Sequence, residues 1–435
     1  MNYAEAVDAL ASRGRFGISL GLERVRAILD ELGRPETGLR GALIAGTNGK
    51  GSVVALTSSA LRAAGLRTGT MPKPHLVSYR ERIAVDGEPV SERRFAAAVE
   101  RVLPAVDAVA ARLGAPTEFE ALTAAAVGEL ARSEVDLAVI EVGLGGRLDA
   151  TNVLDVGVAA ITNVQHDHER HLGSTLAAIG TEKAAIIKPG NLAVTGASGR
   201  GLAPIVARSR SVGAALRRAG PGQPYRATIR SQGWDGLVLD AHTPTRELNA
   251  LRVGLLGTHQ AANTAVALAV LDAMAERHGL QIPDGAIRRG FATARWPGRL
   301  EPVDDPRLGR VLLDGAHNPA GAAALAAALE ALGVRGVPLV FGAMRGKRVT
   351  RVLRNLAALD PRPVFTAVDD RGALPPATLL RSWRRIGRGG TLAASPAEAL
   401  ERAADLRRGD EPIVVAGSLY LVGAVRALLC GEEPA

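Results

Sequence analysis

Gly46-Thr47-Asn48-Gly49-Lys50-Gly51-Ser52 joins an apolar run, Ala42 to Ala45, to a helical pattern carrying Val53, Val54, Leu56, Ala60 and Leu61. A glycine-rich turn between a strand and a helix lets main-chain N–H groups close around an anion at the helix N-terminus, and a lysine adds a point charge there. The stretch reads as a nucleotide-phosphate loop. It departs from the strict Walker A spacing, because Ile44 stands where that pattern has glycine.

Outward from the loop, apolar strands alternate with helical stretches. Leu66 to Met71 is strand-like and runs into Pro72-Lys73-Pro74-His75-Leu76, where two prolines end regular pairing. Helical patterns cover 91–113 and the segment from Thr117 through Leu130. Val135 to Val142 and Val156 to Val164 are continuous apolar strands, which end in Glu141 and in Gln165-His166-Asp167-His168. This alternation predicts an α/β fold, a doubly wound and mostly parallel sheet with ligands at the carboxyl ends of its strands. Residues 2–33 are patterned as amphipathic helix, and Tyr225 to Leu256 changes to short alternating segments around Gly233 and Gly236, read as appended antiparallel hairpins. A helix resumes at His259. The aromatic-proline-glycine connection within 291–298 places a domain junction near Ala294, giving domains 1–294 and 295–435. Strands Val311 to Leu313, Pro338 to Phe341, Pro363 to Val368 and Pro412 to Ala416, with a helix over 319–332, predict a smaller C-terminal α/β domain.

Composition excludes several classes. The chain has 435 residues, 47% hydrophobic, and no stretch long and apolar enough for a membrane span or a signal core. A single cysteine, Cys430, excludes an intrachain disulfide and a cysteine-built metal site, so a cytoplasmic protein is expected. The net charge of +9 comes from arginines scattered through helical patterns, with 3% aromatics and no recognition module, which argues for a solvated surface rather than nucleic-acid binding. Of the 53 basic residues only Lys50, Lys73, Lys183, Lys188 and Lys347 are lysine. Such sparing use suits places that need a compact ammonium or a reactive amine, with local packing as the alternative.

Glu141 and His168 are expected to project from neighbouring strand ends, and with the Ser52 hydroxyl they suit magnesium that also holds phosphate oxygens. An ordinary strand-end carboxylate and a polar surface loop are the other readings. Lys183, with apolar neighbours, suits either a neutral amine open to carbon dioxide or a solvated helical lysine. Asp314-Gly315-Ala316-His317-Asn318-Pro319 follows a strand and begins a helix, which fits polar binding across a cleft or a capped turn. Arg299 fits a phosphate contact or a linker salt bridge.

Ten ordered motifs span nearly the whole chain, among them GTNGKGS (46–52), FEALTAAA (119–126), EVGLGGRLDATNV (141–153), EKAAIIKPG (182–190), LLGTHQAAN (255–263), WPGRLE (296–301), LDGAHNP (313–319) and GSLYLVGAVR (417–426). Together they resemble the folylpolyglutamate synthase and dihydrofolate synthase members of the Mur ligase family. That resemblance implies a magnesium- and ATP-dependent ligase, expected to be monomeric, which activates a folate or dihydropteroate carboxylate as an acyl phosphate and joins it to L-glutamate. It implies that Asn48, Gly49, Lys50, Gly51, Ser52, Asn263, Arg299 and Asp314 contact ATP, and that Ser52, Glu141, His168 and a carbamylated Lys183 hold magnesium. Lys50, Lys183 and His317 are implied in catalysis, His317 near the incoming glutamate. Phe119, Glu120, Leu148, Asp149 and Ala150 match the region that holds the pterin. Lys73 departs from the family serine that helps bind magnesium, and is expected either to touch the γ-phosphate or to face solvent. Gly346 departs from a family aspartate, which weakens a role for Lys347. A Mur-type ligase for another acid and a nucleotide-binding regulator without ligase activity are the competing readings, and the second-domain motifs argue against the regulator.

Overall fold

The computed structural model describes residues 1–14, 21–368, 370, 372–386 and 389–431. Its larger sheet contains β1 (Gly41–Ala45), β2 (Thr68–Met71), β3 (Ala84–Val85), β4 (Glu88–Pro89), β5 (Leu137–Glu141), β6 (Gly157–Ile161), β7 (Leu192–Thr195) and β8 (Ala215–Arg218). The spatial order is β4-β3-β2-β5-β1-β6-β7-β8, antiparallel only where β3 meets β2 and β4. Because strand side chains alternate, Leu43 and Ala45 enter one hydrophobic core while Ala42 and Ile44 enter the other. β5 and β6 divide in the same way, so helices cover both faces and the polar strand ends gather at one edge.

One expectation is corrected by this order. β5 and β6 are not neighbours, since β1 pairs with both. The phosphate loop therefore stands between the strand that ends in Glu141 and the strand that leads to His168. Chain order is a poor guide here, because a crossover helix can carry the next strand to either side of the first.

The helical pattern over 2–33 resolves into helices Tyr3–Gly14 and Glu23–Glu31, with 15–20 outside the described residues. A separate antiparallel sheet, β9 (Arg226–Gly233), β10 (Gly236–His242) and β11 (Glu247–Val253), packs against the helix Gln260–His278. The second large sheet has β12 (Glu301–Asp305), β13 (Gly309–Leu313), β14 (Pro338–Phe341), β15 (Arg362–Phe365), β16 (Thr391–Leu392) and β17 (Ile413–Ala416). Its order is β12-β13-β17-β14-β15-β16, with β12 alone antiparallel. β12 and β16 have no counterpart in the sequence reading, being a polar edge strand and a two-residue strand.

The two halves meet at Asp167, just beyond β6. Its Oδ2 accepts a hydrogen bond from Asn318 Nδ2 at 3.0 Å and lies 3.4 Å from His317 Nε2, while Oδ1 accepts from Lys347 Nζ at 3.0 Å. Burial alone would raise the Asp167 carboxyl, but the His317 hydrogen bond and the Lys347 charge outweigh it and hold the group well below the usual carboxylate range. Asn318 also donates to Asn48 Oδ1 at 3.1 Å, and Arg348 donates to Glu169 at 2.5 Å. Two glycines permit close approach across the same boundary. A Cβ on Gly423 would stand 1.9 Å from the Leu76 carbonyl oxygen, and one on Gly51 would stand 2.3 Å from the Trp296 indole nitrogen.

Asp167→Asn keeps the shape of this contact and removes its charge. The expected cost is about 1.5–3 kcal/mol of interdomain contact, the worth of a charged hydrogen bond. Proteolysis in the 294–298 linker should accelerate while both cores stay folded by near-ultraviolet circular dichroism, and unchanged cleavage would contradict the assignment.

Candidate active site

The phosphate loop is shaped by its glycines. Gly49 has φ of 80°, and a Cβ there would stand 2.3 Å from Asn263 Oδ1. Among the described residues the helix Lys50–Ala63 has no side-chain cap, so its first N–H groups are left for an anion. Lys50 Nζ donates to the Gly46 carbonyl at 3.2 Å and lies 3.9 Å from Glu141 Oε1. Ser52 is buried in the first turn of this helix.

Asn48 sits differently from a direct phosphate ligand. Its N–H donates to Asn163 Oδ1 at 3.0 Å, its Nδ2 donates to Gln165 Oε1 at 2.6 Å, and its carbonyl accepts from Thr162 and Asn163. Asn48 therefore braces the loop against the end of β6 and, through Asn318, against the second domain. Asp314 also braces: Oδ2 accepts from Leu300 N at 2.9 Å and Oδ1 from Ala316 N at 2.9 Å. Burial raises its carboxyl, opposed by the Arg299 charge. Arg299 Nη1 donates to the Gly298 carbonyl, and its charge opposes the burial that raises the Glu141 carboxyl.

Glu141 is 3% exposed at the end of β5. Desolvation pushes its carboxyl up, against the pull of Lys50 and Arg299, and Lys73 N donates to its Oε2 at 3.3 Å. Partial burial, against the pull of Asp167, lowers His168 to about 4, so the ring is neutral at pH 7 and able to ligate a metal. Among the described residues no three His, Cys, Asp or Glu side chains form a ready cation cage. One carboxylate, one imidazole and the Ser52 hydroxyl fit a cation that takes its other ligands from phosphate oxygens and water.

Lys183 is 3% exposed on the helix Leu176–Ala184, and burial with help from Lys50 lowers its pKa to about 7. The glycine-rich 143–146 turn makes this possible. A Cβ on Gly146 would stand 3.1 Å from Lys183 Cα, so the turn lies directly on the helix. Lys188, by contrast, donates to the Leu154 carbonyl, a local packing role. Lys347 reaches Asp167 despite the preceding Gly346.

Of the residues expected at the pterin, Glu120 is largely engaged within the fold. Its Oε2 accepts from Thr117 N at 2.8 Å, Thr117 Oγ1 at 2.9 Å and Arg24 Nε at 3.1 Å, a capping box at the start of helix Glu118–Arg132. Among the described residues only its Oε1 is left without a hydrogen-bond partner. Asp149 caps the short turn that begins at Ala150, accepting from Thr151 N and Oγ1 and from Leu144 N. Leu148 is half-buried beside it. Phe119 faces Lys73, whose Nζ is 3.9 Å from the ring centroid and 3.8 Å from Asp149 Oδ1. His317 is held by a hydrogen bond between its Nδ1 and the Gly315 carbonyl at 2.8 Å.

The sequence reading passed over Asp167, Asn318 and Trp296. Asp167 and Asn318 adjoin quoted histidines and Trp296 begins a quoted motif, but only the fold shows what each one reaches.

The description "Mur ligase middle domain" matches residues 95–271, and "Mur ligase, glutamate ligase domain" matches residues 298–419. The chain is 32% identical to the dihydrofolate synthase/folylpolyglutamate synthase of Bacillus subtilis, over 98% of this chain and 99% of the relative. It is 33% identical to the folylpolyglutamate synthase of Lacticaseibacillus casei over the full length of both. Among solved structures, Mycobacterium tuberculosis folylpolyglutamate synthase complexed with ADP superposes with a TM-score of 0.91 at 32% identity, covering 100% of this chain and 99% of that one. Escherichia coli FolC in complex with DHPP and ADP gives a TM-score of 0.88 at 29% identity, over 99% and 98% of the two chains. With both domain descriptions matched and full-length relatives above 30% identity, the chain belongs to the folylpolyglutamate and dihydrofolate synthases of the Mur ligase family.

Proposed function

We propose that this chain joins L-glutamate to a folate-type acid at the expense of ATP, taking dihydropteroate, a folate, or both as the acid, and that it acts as a cytoplasmic monomer. The observation that carries the reading is the convergence, at one cleft, of the phosphate loop, Glu141 and Lys183 from the first domain with Arg299, His317 and Lys347 from the second. Residues 1–294 would bind ATP and the acid, and 295–435 the glutamate. The names of the relatives support the same substrates.

In this reading a carboxylate oxygen of the acid attacks the γ-phosphorus of ATP, the bond to the β,γ-bridging oxygen breaks, and ADP leaves. The α-amino nitrogen of glutamate then attacks the acyl carbon, a C–N bond forms, phosphate departs with the C–O electron pair, and the amine gives up a proton. The uncapped N–H groups at Gly49 to Ser52 and the Lys50 ammonium hold the phosphates, and Asn263 packs beside Gly49. Ser52, Glu141, His168 and a carbamylated Lys183 would hold magnesium, which when bound screens phosphate charge. Asp167 orients His317 and Lys347 toward the incoming glutamate, and domain contact excludes water from the reacting groups.

ADP release with magnesium ATP should require both glutamate and either dihydropteroate or tetrahydrofolate. Turnover only with an unrelated carboxylate would overturn the folate assignment. Glu141→Gln should lower turnover about a hundredfold or more at saturating ATP. Normal activity in that variant at ordinary magnesium would remove Glu141 from the metal site.

For Lys183, a pKa of about 7 leaves about half of the amine neutral at pH 7 and able to attack carbon dioxide, forming a C–N bond and losing one proton. Protein equilibrated with ¹³C-bicarbonate should show one carbamate carbon resonance that Lys183→Met abolishes. A resonance surviving that substitution would assign the carbamate elsewhere.

A further inference from the structure

Lys73 carries a buried ammonium that, among the described residues, is left without a hydrogen-bond acceptor. Its side chain is 8% exposed. Asp149 forms an ion pair with it, yet at 3.8 Å its Oδ1 is beyond hydrogen-bond reach and leaves the ammonium protons unaccepted. The Phe119 ring attracts the cation, yet a ring face replaces little of the water that burial removes from an ammonium. Burial is the main cost to this charge; the Asp149 and Glu141 carboxylates favour it while Arg82 and Lys50 oppose it. An ammonium held in this way has hydrogen-bond donors to offer an acceptor that the fold does not supply.

The surroundings select the anion. Lys50 and the uncapped helix start already serve the phosphate side. Lys73 extends from the end of β2, one strand beyond β5, and lies over Phe119 beside Asp149. Gly143 leaves that space open. A Cβ there would stand 3.0 Å from Asp149 Oδ2 and 3.4 Å from both Lys73 Cδ and Phe119 Cζ, closing the wall they share. Lys73 is also tied to Glu141 through its own N–H, which fixes the base of its side chain at the phosphate edge while its tip points to the aromatic wall. Of the two expectations from sequence, the solvent-facing lysine is overturned by this burial, and contact with the γ-phosphate is less favoured than contact along the aromatic wall.

We propose that Lys73 binds the carboxylate of the acid substrate and positions the attacking oxygen toward the phosphate loop, making it a specificity determinant for acids over their neutral analogues. This rests on the folate-type reading of the site.

The test is equilibrium binding of dihydropteroate and of its primary carboxamide, with magnesium and a non-hydrolysable ATP analogue present. The native protein should prefer the acid at least tenfold. Lys73→Met should bind the two ligands equally, Lys73→Arg should keep most of the preference, and affinity for the ATP analogue should stay within twofold throughout. Equal binding of acid and amide by the native protein would overturn the proposal without any variant being needed. Retained preference in Lys73→Met would overturn it too, as would a loss confined to the ATP analogue, which would return Lys73 to the phosphate. Native protein that binds neither ligand would instead remove the folate reading, and this assignment with it.

Discussion

A single desolvated carboxylate, Asp167, sets the relation between the two halves of this protein. It stands one residue before His168, yet its partners His317, Asn318 and Lys347 lie 150 to 180 residues away in sequence. Taking a carboxylate out of water is costly unless donors replace the lost hydration. Here the replacements come chiefly from the other domain, so the charge is well satisfied only when the domains are together. The same contact fixes His317 opposite the phosphate loop, through Asn318 to Asn48. Domain position and site geometry are thus one property.

Much of the fold was legible because its strands are short apolar runs buried on both faces. β1, β5, β6, β14 and β17 have no exposed residue, and such runs between helical patterns leave few alternatives to a parallel sheet. The edge strands were not legible. β12, Glu301–Asp305, carries three acidic residues, and β3 and β4 have two residues each, so neither periodicity nor propensity marks them. Spatial order was also hidden, which is why Glu141 and His168 were expected on neighbouring strands although β1 separates them.

The candidate site divides along the same line. Residue types at strand ends could be read locally: a lysine after glycine, a carboxylate closing an apolar strand, a lysine among apolar neighbours. What each side chain does with its donors and acceptors could not. Asn48 and Asp314 looked like ligand contacts and prove to have their polar atoms engaged within the protein. Glu120 looked like a substrate residue and chiefly caps its own helix. Scarcity of lysine was the better guide. Lys50, Lys73, Lys183 and Lys347 stand at or beside the cleft, while Lys188 alone is used for packing.

The glycines at the domain boundary have a consequence for recombination among relatives. Gly51 makes room for Trp296, and Gly423 makes room for the main chain at Leu76, each pair drawing one member from either side of the linker or its flanks. A hybrid that takes its first domain from one parent and its second from another inherits these pairs in halves. Where the second parent places a larger side chain opposite an unchanged neighbour, the two pieces collide before any polar contact can form. Exchangeable units in this protein are therefore matched surfaces, and a crossover drawn at the linker alone does not delimit them.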